Sequence, residues 1–392
     1  MMNFTWFKNL FSTKRGYDVA RIGIAGRPQY PPVSAAQLLS WYRRHELVYA
    51  CVQKIAQAAI DPELILERRN NKGEYVRVEG HPLLRLLNRP NEDSDGAQFI
   101  SDWLVSEQVA GVFYAEIVRN RAGMPTQLYP VNPTKLFPVP DATGHIIAYR
   151  WKDAGNETTM AARDILASRL SSPFDAFNGL SPLAVALGAV DADAAQTDYL
   201  RAFFNNDGTP SGILKISGRN LSRERADEIR QRWMEQYTRN GKYRNAPAVL
   251  DENADYQRIG ANLHEIEANT IRAVLEARIC SVFGVPPLLV GAYVGLLYVN
   301  QRAAATQAQS EFWANKLSPT FKRLRNFLTW HLLTEFESEA DIISGRLRLR
   351  WDMSNVVALR EDEQQRQTRI RENYRAGLIT LDEARGQLGV GA

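Results

Sequence analysis

The chain has 392 residues, of which 45% are hydrophobic and 23% charged, with a formal net charge of +4. That length and apolar content exclude a disordered chain and allow about two or three units with cores of their own. The charge is too small for a protein that grips nucleic acid tightly. Cys51 and Cys280 lie far apart in sequence within apolar helical patterns, so they read as reduced core thiols of a chain folded in cytosol, not as a disulfide or metal pair.

Segment 1–19 mixes aromatic residues with Lys8, Lys14 and Arg15. It lacks the unbroken apolar run of a signal peptide, and no window of the chain has transmembrane length. It reads as an amphipathic terminal helix resting on a neighbour, and a membrane-surface scaffold would depend on these residues alone. Residues 46–60 read as a helix ended by Asp61-Pro62. Strand 64–69, the Asn70-Asn71-Lys72-Gly73 turn and strand 74–78 make a hairpin pattern. His81-Pro82 opens a short helix closed by Arg89-Pro90-Asn91, a second helix covers 97–111, and strands flank Gly123. A loop-rich passage with Pro133, Pro138 and Pro140 precedes a strand at 145–151.

A long helix over 181–205 starts at Ser181, with Pro182 in the first turn where a missing N–H costs nothing. It would span about 35 Å. Residues 207–261 read as a compact α/β insert, with strand 212–216, helix 222–237 and strands near 247–250 and 256–259. A second long helix, 262–283, is striped by Ile271, Leu275, Ile279 and Val282 and must stop at Gly284 and Pro286-Pro287. The following PPLLVGAYVGLLYVN (286–300) carries no charge, and Gly291 and Gly295 read as hinges.

Next come a helical run over 301–337 interrupted at Ser318-Pro319 and a strand over 346–353. In that strand Arg346, Arg348 and Arg350 alternate with Leu347, Leu349 and Trp351, so one face is wet and the other buried. Helix 357–376 ends at Gly377, and Thr380 with Glu383 forms a capping box for a last short helix.

Catalytic chemistry finds no foothold. There is no phosphate-cradling glycine loop or nucleophile elbow, and His45, His81, His145, His264 and His331 are scattered singly. Asp191 and Asp193 diverge on their helix and cannot share a metal. No cofactor is implied. The insert's helix carries Arg223, Arg225, Arg230 and Arg232, which suit either a solvated helix face or a basic docking rim.

Four stretches, HPLLRLLNRPN (81–91), GLSPLAVALGAV (179–190), FFNNDGTPSGILKI (203–216) and VFGVPPLLVG (282–291), occur in the order and spacing of one family. Over roughly residues 40–390 the chain resembles the HK97-type portal proteins of tailed bacteriophages, prophages and gene transfer agents. The resemblance implies an α+β portal fold with an α/β wing over 20–178 and stem helices at 181–205 and 262–285. An α/β clip insert at 207–261, a tunnel loop at 286–300, a second wing part at 301–355 and a helical crown at 356–392 complete it.

It further implies a non-enzymatic ring, dodecameric in the particle, at one capsid vertex, through which double-stranded DNA is packaged and ejected. The partners implied are other copies of the chain, the terminase large subunit, the major capsid protein and a head-tail adaptor, in a virion assembled in the host cytoplasm, with no membrane. On this reading Arg223, Arg225, Arg230 and Arg232 form the clip's docking rim, and Tyr293, Val294, Leu296, Leu297 and Tyr298 face DNA. Many relatives are polar in this loop, whereas here GLLYVNQRAA stays uncharged until Arg302. Lys or Arg gripping each phosphate would stall a moving duplex, and an uncharged loop touches without holding. Packing of the same residues into the wing or a neighbour is the competing reading. A phage nuclease, the enzyme alternative, would need a clustered acidic or His metal site that the sequence lacks.

Overall fold

The computed structural model describes residues 33–58, 60–175, 177–205, 212–216, 222–237, 254–258, 268–296, 301–359 and 363–388. The segments 1–19, 247–250 and 261–267 assigned from sequence lie outside these. Ser34 and Gln37 cap each other's backbone to start α1 (Ala35–Arg44), and His45 alone separates it from α2 (Glu46–Gln57). The hairpin strands are β1 (Glu63–Arg69) and β2 (Tyr75–Arg77), followed by α3 (Pro82–Asn88) and α4 (Gly96–Ala110). Six strands come next: β3 (Val112–Arg119), β4 (Pro125–Val131), β5 (Leu136–Pro140), β6 (Ile146–Asp153), β7 (Asn156–Ala161) and β8 (Ile165–Arg169).

The long helices are α5 (Pro182–Asn205) and α7 (Ala268–Phe283). Between them lie β9 (Gly212–Ile216), α6 (Arg223–Tyr237) and β10 (Ala254–Arg258). After a 3-10 turn at Pro287–Val290 come α8 (Tyr293–Leu296), α9 (Gln301–Phe312), α10 (Ser318–His331), α11 (Glu339–Ile343), β11 (Leu347–Asp352), α12 (Glu363–Arg375) and α13 (Leu381–Leu388).

The described strands make four antiparallel sheets, β11-β1-β2, β4-β3-β8, β5-β6-β7 and β10-β9. In the first, Leu66 pairs with Leu349, so the chain before the long helices and the chain after them share one sheet. Its β11 alternates as expected, with Leu347, Leu349 and Trp351 buried and Arg348 and Arg350 exposed. The main core joins Val48 and Ile55 of α2, Phe99 and Trp103 of α4, Phe113 of β3, and Leu324 and Leu328 of α10. Trp103 stacks on Phe113 with ring centres 4.8 Å apart. A smaller core of Val112, Tyr114, Tyr149 and Ile165 lies between the second and third sheets.

Two segments differ from the sequence reading. The proline-rich passage contains a strand, β5, which sits at a sheet edge where Pro138 and Pro140 withhold no interior ladder bond. The helical run is not broken at Pro319: a π turn at Trp313–Leu317 widens the ladder just before it, and helical backbone continues through His331. α1, β7 and β8 have no counterpart in the sequence reading, since two buried or half-buried leucines and short, Thr- and Ala-containing strands give little periodicity.

Candidate functional site

The long helices are rooted by the GLSP stretch. Gly179 lies back to back with Gly111, whose φ of +79° ends α4, and a Cβ on either glycine would strike the other's backbone. Ser181 Oγ accepts the Ala184 N–H at 3.2 Å and so caps α5, while its hydroxyl donates to Val109 O at 2.6 Å. The motif is therefore a joint that fixes where α5 leaves α4.

α5 and α7 pack along each other, and α7 also touches α2. Leu275, Ile279, Cys280 and Phe283 are buried there, whereas Ile271, Val274 and Val282 are 46%, 55% and 36% exposed. The single stripe read from sequence is thus two stripes, and only one is covered within the subunit. On α5, Leu183, Ala186 and Val190 are buried while Val185 and Tyr199 face outward.

α7 ends as its sequence requires. Gly284 adopts φ +68°, the Val285 N–H reaches back to Cys280 O at 3.0 Å, and the aliphatic stem of Lys316 lies over the glycine. The segment after the double proline is folded through Leu296. Buried Glu276 of α7 accepts the Val294 N–H at 3.1 Å and Arg272 Nε at 3.2 Å. Gly291 takes a φ of +67°, but Gly295 is packed: a Cβ there would lie 2.5 Å from Leu288 N. Gly295 is consequently a close-packing glycine and not a hinge. Tyr293 and Leu296 are 41% and 51% exposed, and Val294 is half-buried. Leu297 and Tyr298 lie outside the described residues.

In the insert, β9 and β10 pair antiparallel, Leu214 opposite Tyr256. Arg223, Arg225 and Arg232 are exposed on α6, and Arg225 pairs with Glu228 at 2.6 Å, so part of the basic face is neutralised locally. Arg230 falls within the helix, its side chain outside the described residues.

Three arrangements escaped the sequence reading. Cys51 and Cys280 meet, Sγ to Sγ 3.9 Å, joining α2 to α7. Their mutual hydrogen bond, and then burial, push the Cys51 thiol above the ordinary cysteine range, which keeps it protonated and inert. His45 and His81 both act as helix N-caps through Nδ1, with Nε2 3.2 Å from Asp193 and Glu337 respectively. A histidine just before a helical run was the available signal. Finally, fully buried Glu107 accepts from Trp103 Nε1 at 3.0 Å, Ser168 Oγ at 2.6 Å and the Arg323 guanidinium through both oxygens. Nothing local marks that glutamate. Among the described residues no group of three or more His, Cys, Asp or Glu is placed to hold a metal, and no helix is long and apolar enough to cross a membrane.

The described chain is a mixed α+β protein with helical and sheet elements, an architecture consistent with that of portal proteins. The chain belongs to the phage portal protein family, whose model matches residues 46–389. It is 26% identical over 361 residues to an uncharacterized protein of Rickettsia felis, covering 89% of this chain and 87% of that one. Against the portal protein of Enterobacteria phage HK97 it is 24% identical over 340 residues, 86% of this chain and 77% of that one. Among solved structures, it superposes with TM-score 0.66 and 25% identity on a chain from the neck of an empty gene transfer agent particle computed with C6 symmetry, covering 93% and 96% of the two chains. A chain from the neck of the native particle computed with C12 symmetry gives TM-score 0.66 at 24% identity, covering 96% and 98%. An HK97 family portal protein from Corynebacterium diphtheriae shares the fold at 11% identity and TM-score 0.59, with 85% and 100% covered.

Proposed function

We propose that this chain is the subunit of a portal ring, dodecameric in the particle, at one vertex of a capsid or gene transfer agent. Double-stranded DNA would enter and leave through its channel. The observation that carries the reading is the uncovered apolar stripe of α7, Ile271, Val274 and Val282, together with a separate outward face on α5 with Val185 and Tyr199. Two unlike faces on one subunit suit head-to-tail contact, which closes into a ring. The membership of the family and the likeness to particle-neck chains support it.

In this reading 20–178 and 301–355 are the wing, 181–205 and 262–285 the stem, 207–261 the clip, 286–300 the tunnel loop and 356–392 the crown. The wing meets the major capsid protein. The clip receives the terminase large subunit during packaging and a head-tail adaptor afterwards. Tyr293 and Leu296, uncharged and exposed, are the described residues best suited to touch DNA without holding it.

Two aspartate substitutions separate stem packing from ring contact. Ile279→Asp buries an unpaired charge inside the subunit and should unfold it, at a cost of several kcal/mol, roughly the scale of such lesions. Val274→Asp should leave the subunit folded by circular dichroism and abolish rings in light scattering and negative-stain images. Intact rings with Val274→Asp would remove the stem from the interface. For the clip, reversing Arg225 and Arg232 to Glu should keep rings but weaken terminase binding, more so at low salt. Equal affinity at low salt would rule out the basic face as the docking rim.

A further inference from the structure

Glu276 is a buried carboxylate in the middle of α7. Stripping water from such a group is costly unless its oxygens find donors, and here the two oxygens are divided between two neighbours. Oε1 accepts Arg272 Nε at 3.2 Å, one turn back on the same helix. Oε2 accepts the Val294 N–H at 3.1 Å, eighteen residues onward and past the double proline. That amide lies in the first turn of α8, where the helix offers no carbonyl of its own, so Glu276 supplies the missing acceptor. Arg272 Nη2 also lies 4.0 Å from Glu46 of α2, but Glu46 is largely exposed and such a pair is weak. The guanidinium serves chiefly to fix the Glu276 side chain.

The segment that Glu276 meets is built as one piece. The Leu289 N–H donates to Pro286 O at 2.9 Å, the Ala292 N–H to Pro287 O at 3.1 Å and the Gly295 N–H to Ala292 O at 2.9 Å. Ala292 is buried, and Leu289, Val290 and Val294 pack partly buried against the main core. Its covalent joint with α7 is Gly284 to Pro287, and a joint at one end leaves the tilt of the piece on the helix open. The Glu276–Val294 bond closes that freedom, because it ties the far part of the segment to α7 about two turns before the helix ends. Tyr293 and Leu296, the exposed residues of the piece, flank the clamped amide on either side.

We propose that Glu276 is a positioning residue for the DNA-contact segment: its carboxylate makes 286–296 a rigid extension of α7 and so sets where Tyr293 and Leu296 stand. The inference rests on the reading of that segment as the channel contact. A shift of α7 then carries both side chains with it, and the contact with the duplex follows the stem.

The test is site-resolved hydrogen exchange on full-length assembled protein. Glu276→Ala should speed exchange of the amides of 292–296 by about tenfold, on the order expected for one lost hydrogen bond to a charged group, and leave the amides of 268–283 as they were. Glu276→Gln keeps a neutral acceptor and should recover part of the protection. Unchanged exchange at 292–296, equal loss along the whole of α7, or no recovery with glutamine would overturn the clamp. Should the alanine variant fail to fold, the wild type decides: its Val294 amide should exchange at least about tenfold more slowly than an open chain, and an unprotected Val294 would overturn the proposal. DNA packaging is read separately, and Glu276→Ala should slow it severalfold with partial recovery in Glu276→Gln. Exchange as expected with packaging indifferent to both variants would keep the clamp and remove 286–296 from the channel.

Discussion

Glu107 in the wing is fully buried and Val274 in the stem is 55% exposed, so each stands on the wrong side of the surface by simple solvation. The resolutions differ. Glu107 is satisfied from within, by Trp103, Ser168 and Arg323, the last contributed by a helix more than two hundred residues later. The same device recurs where Glu67 takes Arg348 and Arg350, and where Arg119 takes Asp164 and Glu335. Apart from Arg119–Asp164, these pairs tie the chain before the long helices to the chain after them, so the wing closes on itself. Val274 stays outward with no such partner among the described residues, and so do Ile271 and Val282. A region that satisfies its misfits internally is a fold, and one that leaves them outward is half of an interface.

That contrast can be broken most severely at Arg323. Arg323→Ala leaves the Glu107 carboxylate buried without its cation and should cost about 3–5 kcal/mol. Chemical denaturation should show the loss equally in dilute and concentrated protein, because the defect lies inside the wing. A loss that appears only on dilution would move this ion pair's role to the ring.

A smaller effect sits at Lys316, beside the same cluster. Burial lowers its pKa from the ordinary 10.5, Arg323 lowers it further and Glu107 opposes them. The unfolded chain therefore keeps a proton that the folded one releases first, so this lysine destabilises the fold below its folded pKa and the penalty fades as pH rises toward 10.5. Lys316→Met should remove that slope, so that the stability difference between the variant and wild type shrinks as pH rises toward 10.5. A pH-independent difference in urea midpoints would show that the ammonium is well solvated.

Leu296→Lys sharpens the stem side with the least disturbance. Leu296 is half-exposed, so subunit stability should stay within about 0.5 kcal/mol. In a ring it adds one positive charge per subunit, and DNA packaging should slow in a way that rising salt relieves. Normal packaging rates at low salt would take Leu296 away from the duplex.

Local signals in the sequence sufficed at several helix ends, though not at Pro319, where a π turn lets helical backbone continue. Ser181 with Pro182, Gly284 before Pro286-Pro287, Gly377, and Thr380 with Glu383 set helix ends through caps and forbidden dihedrals, and α5, α7 and α13 begin or end accordingly. The alternation of β11 was likewise legible, because a strand's two faces follow directly from a period of two. Tertiary structure decided what depends on approach between distant segments. The meeting of Cys51 with Cys280 and the pairing of buried Glu107 with Arg323 arise between residues that sequence proximity does not pair. The division of α7 into one covered and one uncovered stripe belongs here too: both are apolar, and only the position of α5 and α2 determines which is spent inside the subunit.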